Sequence, residues 1–173
     1  MKIIQAACAA LLAMVATAAS AQWQSQSTYE AVVIDAPADK VWDMVKGWDS
    51  LHTWHPVFSA TKIIAGGLSV GSIRELTIKD GPKFTEELLS FDNVGQALQY
   101  KIIESPLPVV DYLSTVRVLS IGENRSELAW MASWRRKARD GATAENDDRA
   151  VGKFLAGAYQ AGLQNVKKMA EGR

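Results

Sequence analysis

The chain has 173 residues, 19 Lys+Arg balanced by 19 Asp+Glu, 48% apolar side chains and a single cysteine. That size is one domain with a sizeable core, and the balanced charge supplies no clustered basic face for nucleic acid or an anionic membrane. Cys8 stands in the apolar start of the chain, so disulfides, thiolate catalysis and cysteine-ligated zinc are excluded from everything after it.

Met1-Lys2 is a short basic start, residues 3–19 are almost wholly apolar, and Ala19-Ser20-Ala21 has the small-x-small pattern of a cleavage site. This predicts a signal peptide over residues 1–21, cleavage before Gln22, and a domain over 22–173 that is periplasmic or secreted. The apolar stretch is too short to serve as a membrane anchor. Cys8 precedes most of that stretch instead of ending it, which argues against a lipid anchor. Without the leader the remaining residues, about 152, carry about one negative charge and an apolar share near 43%, an ordinary value for a folded domain.

Residues 22–27 are polar and read as frayed; residues 28–34 alternate as a strand. Asp35-Ala36-Pro37 opens a helix, with Val41, Trp42, Val45 and Trp48 on one face. A second short helix over 49–54 is stopped by His55-Pro56. Six strands of period two follow, over 57–64, 72–79, 83–91, 97–104, 111–121 and 125–137. Their separators are turn residues: Gly66-Gly67, Asp80-Gly81-Pro82, Asp92-Asn93, Ser105 to Pro108, and Gly122-Glu123-Asn124. Links this short favour antiparallel neighbours. The last segment, 144–170, is a long helix with Thr143 as its cap and an apolar stripe of Val151, Leu155, Ala158, Gly162, Val166 and Met169, flanked by Phe154 and Tyr159.

The fold class is therefore α+β. A curved antiparallel sheet of about seven strands wraps on one long C-terminal helix, with two short helices after the first strand. Such a sheet need not fill completely and leaves room for a cavity under the helix.

Several segments resemble the superfamily of START domains, Bet v 1 and the polyketide cyclase/dehydrase proteins, the helix-grip fold. They are residues 34–42, Trp54-His55-Pro56, Gly71 to Leu76, Thr85 to Leu88 and Leu163 to Met169. The resemblance covers nearly all of the chain after the leader and implies the fold; its members include carriers, receptors and cyclases, so it does not by itself choose a function. The central strands are similar to the plant abscisic acid receptors. That similarity implies a gate loop at Asp80-Gly81-Pro82, a latch loop at Leu107-Pro108-Val109, and cavity positions at Glu86, Tyr100 and Tyr112. Trp54 stands where those receptors carry a lysine for the ligand carboxylate, and Gly162 where they carry an asparagine, so hormone recognition is not implied. Exported bacterial members, some of which accompany periplasmic methanol oxidation, are the nearer resemblance.

Alternation places Arg74, Leu76 and Ile78 on one strand face and Phe84, Glu86 and Leu88 on the facing one. Leu76 then stands roughly opposite Glu86, and Arg74 is diagonal to it. Two opposite charges on apolar faces read either as a structural ion pair or as a polar anchor for an apolar ligand. Tyr100 and Tyr112 each combine a ring with one hydroxyl, which suits a core edge or a pocket wall. Trp42, Trp48 and Trp54 cluster on the short helices, and Trp130 and Trp134 share a strand face. The candidate ligand-binding set is thus Trp54, Arg74, Leu76, Glu86, Tyr100, Tyr112 and Trp130 with Leu107 from the latch. The final helix adds Phe154, Ala158 and Gly162. His52 and His55, at i and i+3, lack a third ligand, and Pro56 breaks their geometry, so no metal is expected. There is no Gly-x-Ser-x-Gly elbow and no phosphate loop, and no cofactor is expected.

The expected function is binding or carrying a small, mainly apolar molecule, by a monomer or weak dimer. Two alternatives stay open: a cyclase, dehydratase or isomerase using Glu86 as acid/base, and an accessory protein of a periplasmic oxidoreductase acting by surface contact.

Overall fold

The structure, a computed structural model, describes residues 25–137 and 147–173. The expected leader over 1–21 and the expected cap Thr143 lie outside the described residues. The chain runs β1 (Gln26–Ile34), α1 (Ala38–Val45), α2 (Leu51–Trp54), β2 (Phe58–Ala65), β3 (Ile73–Ile78), β4 (Lys83–Asp92), β5 (Ala97–Glu104), β6 (Val109–Gly122), β7 (Arg125–Arg136) and α3 (Asp148–Glu171). The seven strands form one open, curved antiparallel sheet in the order β1-β7-β6-β5-β4-β3-β2, and α3 lies across its concave face. This is the helix-grip arrangement. No helix among the described residues is long and apolar enough to cross a membrane.

Each strand follows its hydrophobic alternation, and departures come from backbone irregularities. Gln26 and Ser27, expected to fray, pair with Trp134 and Ser133 and belong to β1. The β3–β4 register also differs from expectation: Arg74 is directly opposite Glu86, and Leu76 is opposite Phe84. The turn sets this. Ile78 N–H donates to Pro82 O at 3.1 Å and Gly81 N–H to Ile78 O at 3.0 Å. Asp80 adopts the left-handed region at φ 55°, a conformation that aspartate tolerates better than most residues. In β6 the register shifts between Val110 and Leu113, where Asp111 has φ 50°. The bulge turns both Val109 and Tyr112 inward, which plain alternation forbids.

The long helix is rotated from its expected stripe. Val151, Leu155, Gly162 and Val166 are buried as foreseen, but Tyr159, Leu163 and Ala170 complete the buried face, while Met169 is 45% exposed. Asp147 caps the helix, accepting from Ala150 N–H at 2.6 Å, and Gly172, left-handed at φ 69°, ends it. Its C-terminal turn is tied down by Lys40 Nζ donating to Ala170 O at 2.6 Å and by Asp35 N–H donating to Glu171 Oε1 at 3.0 Å. Arg136, near the end of the last strand, is buried and pairs with Asp148 at 3.1 Å at the helix start.

Of the three glycines in α3, only Gly162 permits a close approach. A Cβ there would stand 2.5 Å from His55 Cδ2 and 3.2 Å from the Trp54 ring, whereas one at Gly157 would meet nothing within 4 Å. The helix thus presses on the α2–β2 junction at this point. The expected tryptophan cluster is dispersed: Trp42 packs on Phe91, Trp48 on Tyr100, and Trp54 on Trp130.

Candidate functional site

Between the concave sheet face and α3 lies a cavity of about 60 Å3. Its interior walls are the buried side chains of Leu51, His55, Phe84, Glu86, Tyr100, Tyr112, Trp130, Leu155 and Tyr159. The half-buried Val57, Ile78, Leu107 and Ala158 with Phe154, 54% exposed, form the side toward solvent. The lining is apolar apart from Glu86, the tyrosine hydroxyls and one imidazole. Ile78 and Phe84 flank the β3–β4 hairpin, and Leu107 sits in the β5–β6 loop, so the two loops implied as gate and latch border this space.

Of the eleven candidate ligand-binding residues, Glu86, Tyr100, Leu107, Tyr112, Trp130, Phe154 and Ala158 line the cavity. Trp54, Arg74, Leu76 and Gly162 do not. Leu76 is 1% exposed within the core. Gly162 faces His55 and Trp54, and Trp54 stands behind Trp130 at a centroid separation of 5.7 Å.

Arg74 is consumed by structure. Its Nε and Nη2 donate to Glu86 Oε2 at 2.9 and 2.7 Å, and its Nη1 donates to Trp48 O at 3.0 Å. The guanidinium also lies 3.7 Å over the Trp48 ring. Both partners are nearly sealed from solvent, at 5% and 7% side-chain exposure. Burial pushes the Glu86 carboxyl above the usual carboxylate range, and the Arg74 charge pulls against that shift.

A hydroxyl array spans β5, β6 and α3. The Tyr112 and Tyr159 hydroxyls hydrogen-bond to each other. Trp130 Nε1 donates to Tyr100 Oη at 3.1 Å and to Ser114 Oγ at 3.0 Å, and Ser114 Oγ donates to Met131 O at 2.9 Å. Burial raises all three tyrosines above their ordinary range, so they stay protonated and act as donors, not as bases. Tyr159 stacks on Trp130 at 4.7 Å with the planes 5° apart.

His55 and Tyr159 are the residues that sequence reasoning missed. His55 is 2% exposed; its Nε2 contacts Ala158 O at 3.0 Å, and Val57 N–H donates to its Nδ1 at 3.3 Å. This pattern requires the neutral ring with the proton on Nε2, and burial lowers its pKa to about 4. His52 is exposed, so the two imidazoles do not share a face. The signal for Tyr159 was present: Leu155, Tyr159, Leu163 and Val166 recur at helical spacing, an equally good stripe.

These features agree with comparisons to known proteins. Residues 25–171 match the family model described as polyketide cyclase / dehydrase and lipid transport. The abscisic acid receptor PYL10 of Arabidopsis thaliana is 31% identical over 90 residues, covering 50% of this chain and 49% of the receptor. The chain thus spans about half the length of that relative. Among solved structures, a protein of Bacillus thuringiensis is similar at 26% identity and a TM-score of 0.73, with 83% of this chain and 98% of the other covered. The protein XoxI of Bacillus cereus is similar at 27% identity and a TM-score of 0.72, covering 83% and 94%. With most of its length matched by that model, the chain belongs to the polyketide cyclase/dehydrase and lipid transport family.

Proposed function

We propose that the protein is an exported binding or carrier protein for a small, mainly apolar molecule held between the sheet and α3. The observation that carries this reading is the cavity itself: an apolar, ring-lined space under the helix, with one buried carboxylate and donor hydroxyls in its wall. Affinity comes from apolar burial, at roughly 25 cal/mol per Å2 removed from water. Glu86, Tyr100 and Tyr112 orient the guest, and the loops bearing Asp80 and Leu107 admit it. The composition of the N-terminal segment supports export to the periplasm or beyond.

Mature protein starting at Gln22 should show altered tryptophan emission and a raised melting temperature with a subset of apolar compounds, because Trp130 lines the cavity. No response to any member of a broad apolar panel would contradict the reading. Mass analysis of protein from the exporting cell should give an N-terminus at Gln22; an intact leader there contradicts export.

A second reading, an acid/base enzyme of the cyclase or dehydratase kind, is favoured by one observation. Glu86 is a buried carboxyl that lines the cavity with its pKa raised. A Glu86→Gln variant that still binds but no longer turns over a cyclisable substrate would support it. An accessory role with a periplasmic partner would show instead as retention of one oxidoreductase from periplasmic extract with the cavity unliganded.

A further inference from the structure

The cavity is small, and its walls explain why. A water molecule needs about 10–15 Å3, and a cavity that takes benzene measures about 150 Å3. The 60 Å3 found here therefore fits about four to six small heavy atoms. Tyr159 fills the remainder. Its ring lies flat on Trp130, and its hydroxyl is held by Tyr112. Trp130 cannot retreat, because Trp54 stands behind it at 5.7 Å and His55 meets it edge-on at 5.6 Å. His55 is itself wedged against Gly162.

The charge pattern narrows the guest further. Both Arg74 contacts fall on Glu86 Oε2, so Oε1 carries no hydrogen bond among the described residues, although the side chain is only 7% exposed and lines the cavity. Arginine stays charged when buried, and at 2.7 Å its charge favours the ionised form of the carboxylate. With Glu86 ionised the pair is neutral as a unit, and a charged guest would sit without a counter-charge against a mostly apolar lining. What Oε1 lacks is a donor.

Resting on the binding reading above, we propose that this cavity selects compact neutral molecules bearing a hydroxyl or N–H group, with Glu86 Oε1 as the acceptor and Tyr159 as the residue that sets the size limit. Both residues act by contact with the guest, one through its charge and one through its volume.

The test titrates the mature protein with four probes while following the Trp130 indole N–H signal. They are 1-butanol, methyl propyl ether of the same heavy-atom count, phenol and 2-naphthol. The wild type should bind 1-butanol saturably and about tenfold more tightly than the ether, since only the alcohol satisfies the acceptor; it should not bind phenol or naphthol. Tyr159→Ala should gain phenol binding, the guest replacing the lost ring, while Tyr159→Phe keeps the wild-type size limit. Equal binding of alcohol and ether overturns the acceptor role. Tight binding of naphthol by the wild type overturns the size limit. In both cases the binding function stands, whereas failure of the wild type to bind any of the four, or any larger apolar compound, overturns that function itself. The alcohol–ether comparison needs no variant, so it stays decisive if Tyr159→Ala fails to fold.

Discussion

Arg74 and Glu86 form a charged pair of which only Glu86 lines the cavity. Opposed directly across β3 and β4, they keep one carboxylate fixed in an apolar wall. Removing one partner strands the other: Arg74→Met or Glu86→Leu should destabilise the fold by about 3–5 kcal/mol in urea titrations, and the double variant should recover most of that. Additive losses in the double variant would contradict a coupled pair. His55 supplies a pH dependence of definite sign. Its folded pKa, lowered to about 4, lies below the unfolded value near 6.5. The unfolded chain therefore takes up a proton that the folded chain refuses. Stability from this residue is complete above pH 6.5 and is lost as the pH falls toward 4, by about 3 kcal/mol. His55→Gln should flatten that part of the denaturation profile; an unchanged profile would assign the acid sensitivity elsewhere. Gly162→Ala should cost about 1–3 kcal/mol by overpacking, since its Cβ would stand 2.5 Å from a ring packed on all sides, and a variant as stable as the wild type would mean that His55 moves freely.

At the scale of elements, the strands were legible because period-two alternation reports face directly, and turn residues mark their ends. Register was less legible. Arg74 stood opposite Glu86 and not diagonal to it because the β3–β4 turn closes through Ile78 and Pro82 with Asp80 left-handed; composition alone cannot distinguish such a turn from its neighbours in length. The inward position of Tyr112 was anticipated, but its cause, the bulge at Asp111, was not. Arg135 Nε grips Asp111 Oδ2 at 2.6 Å, so the bulge is pinned from outside. The azimuth of α3 was misread toward Met169 because two stripes of similar apolar content share the helix, and only packing against β1 and β7 chooses between them. The cap of that helix is a simple check: Asp147→Ala should cost about 1 kcal/mol in thermal or urea unfolding, and no loss would shift the effective helix start upstream.

For the whole molecule, the sheet and α3 act as a clasp whose two ends are closed differently. At the C-terminal end of α3, Lys40 and Asp35 bind helix groups directly and Lys167 of the helix donates to Val33 O of β1 at 2.7 Å, which fixes that end. Toward the other end, the Arg136–Asp148 pair holds the helix start, and Phe154, Leu107 and Ile78 border the cavity. The family relationship explains the architecture, while the small, hydroxyl-bearing interior is shaped above all by Tyr159 and His55. The central claim is that a space open to small apolar guests lies beneath α3. Crystals of the protein starting at Gln22, pressurised with xenon, test it most directly, because xenon enters apolar cavities. The account predicts one ordered xenon among Tyr112, Trp130, Leu155 and Ala158. A xenon-free interior, with all sites on the outer surface, would contradict it.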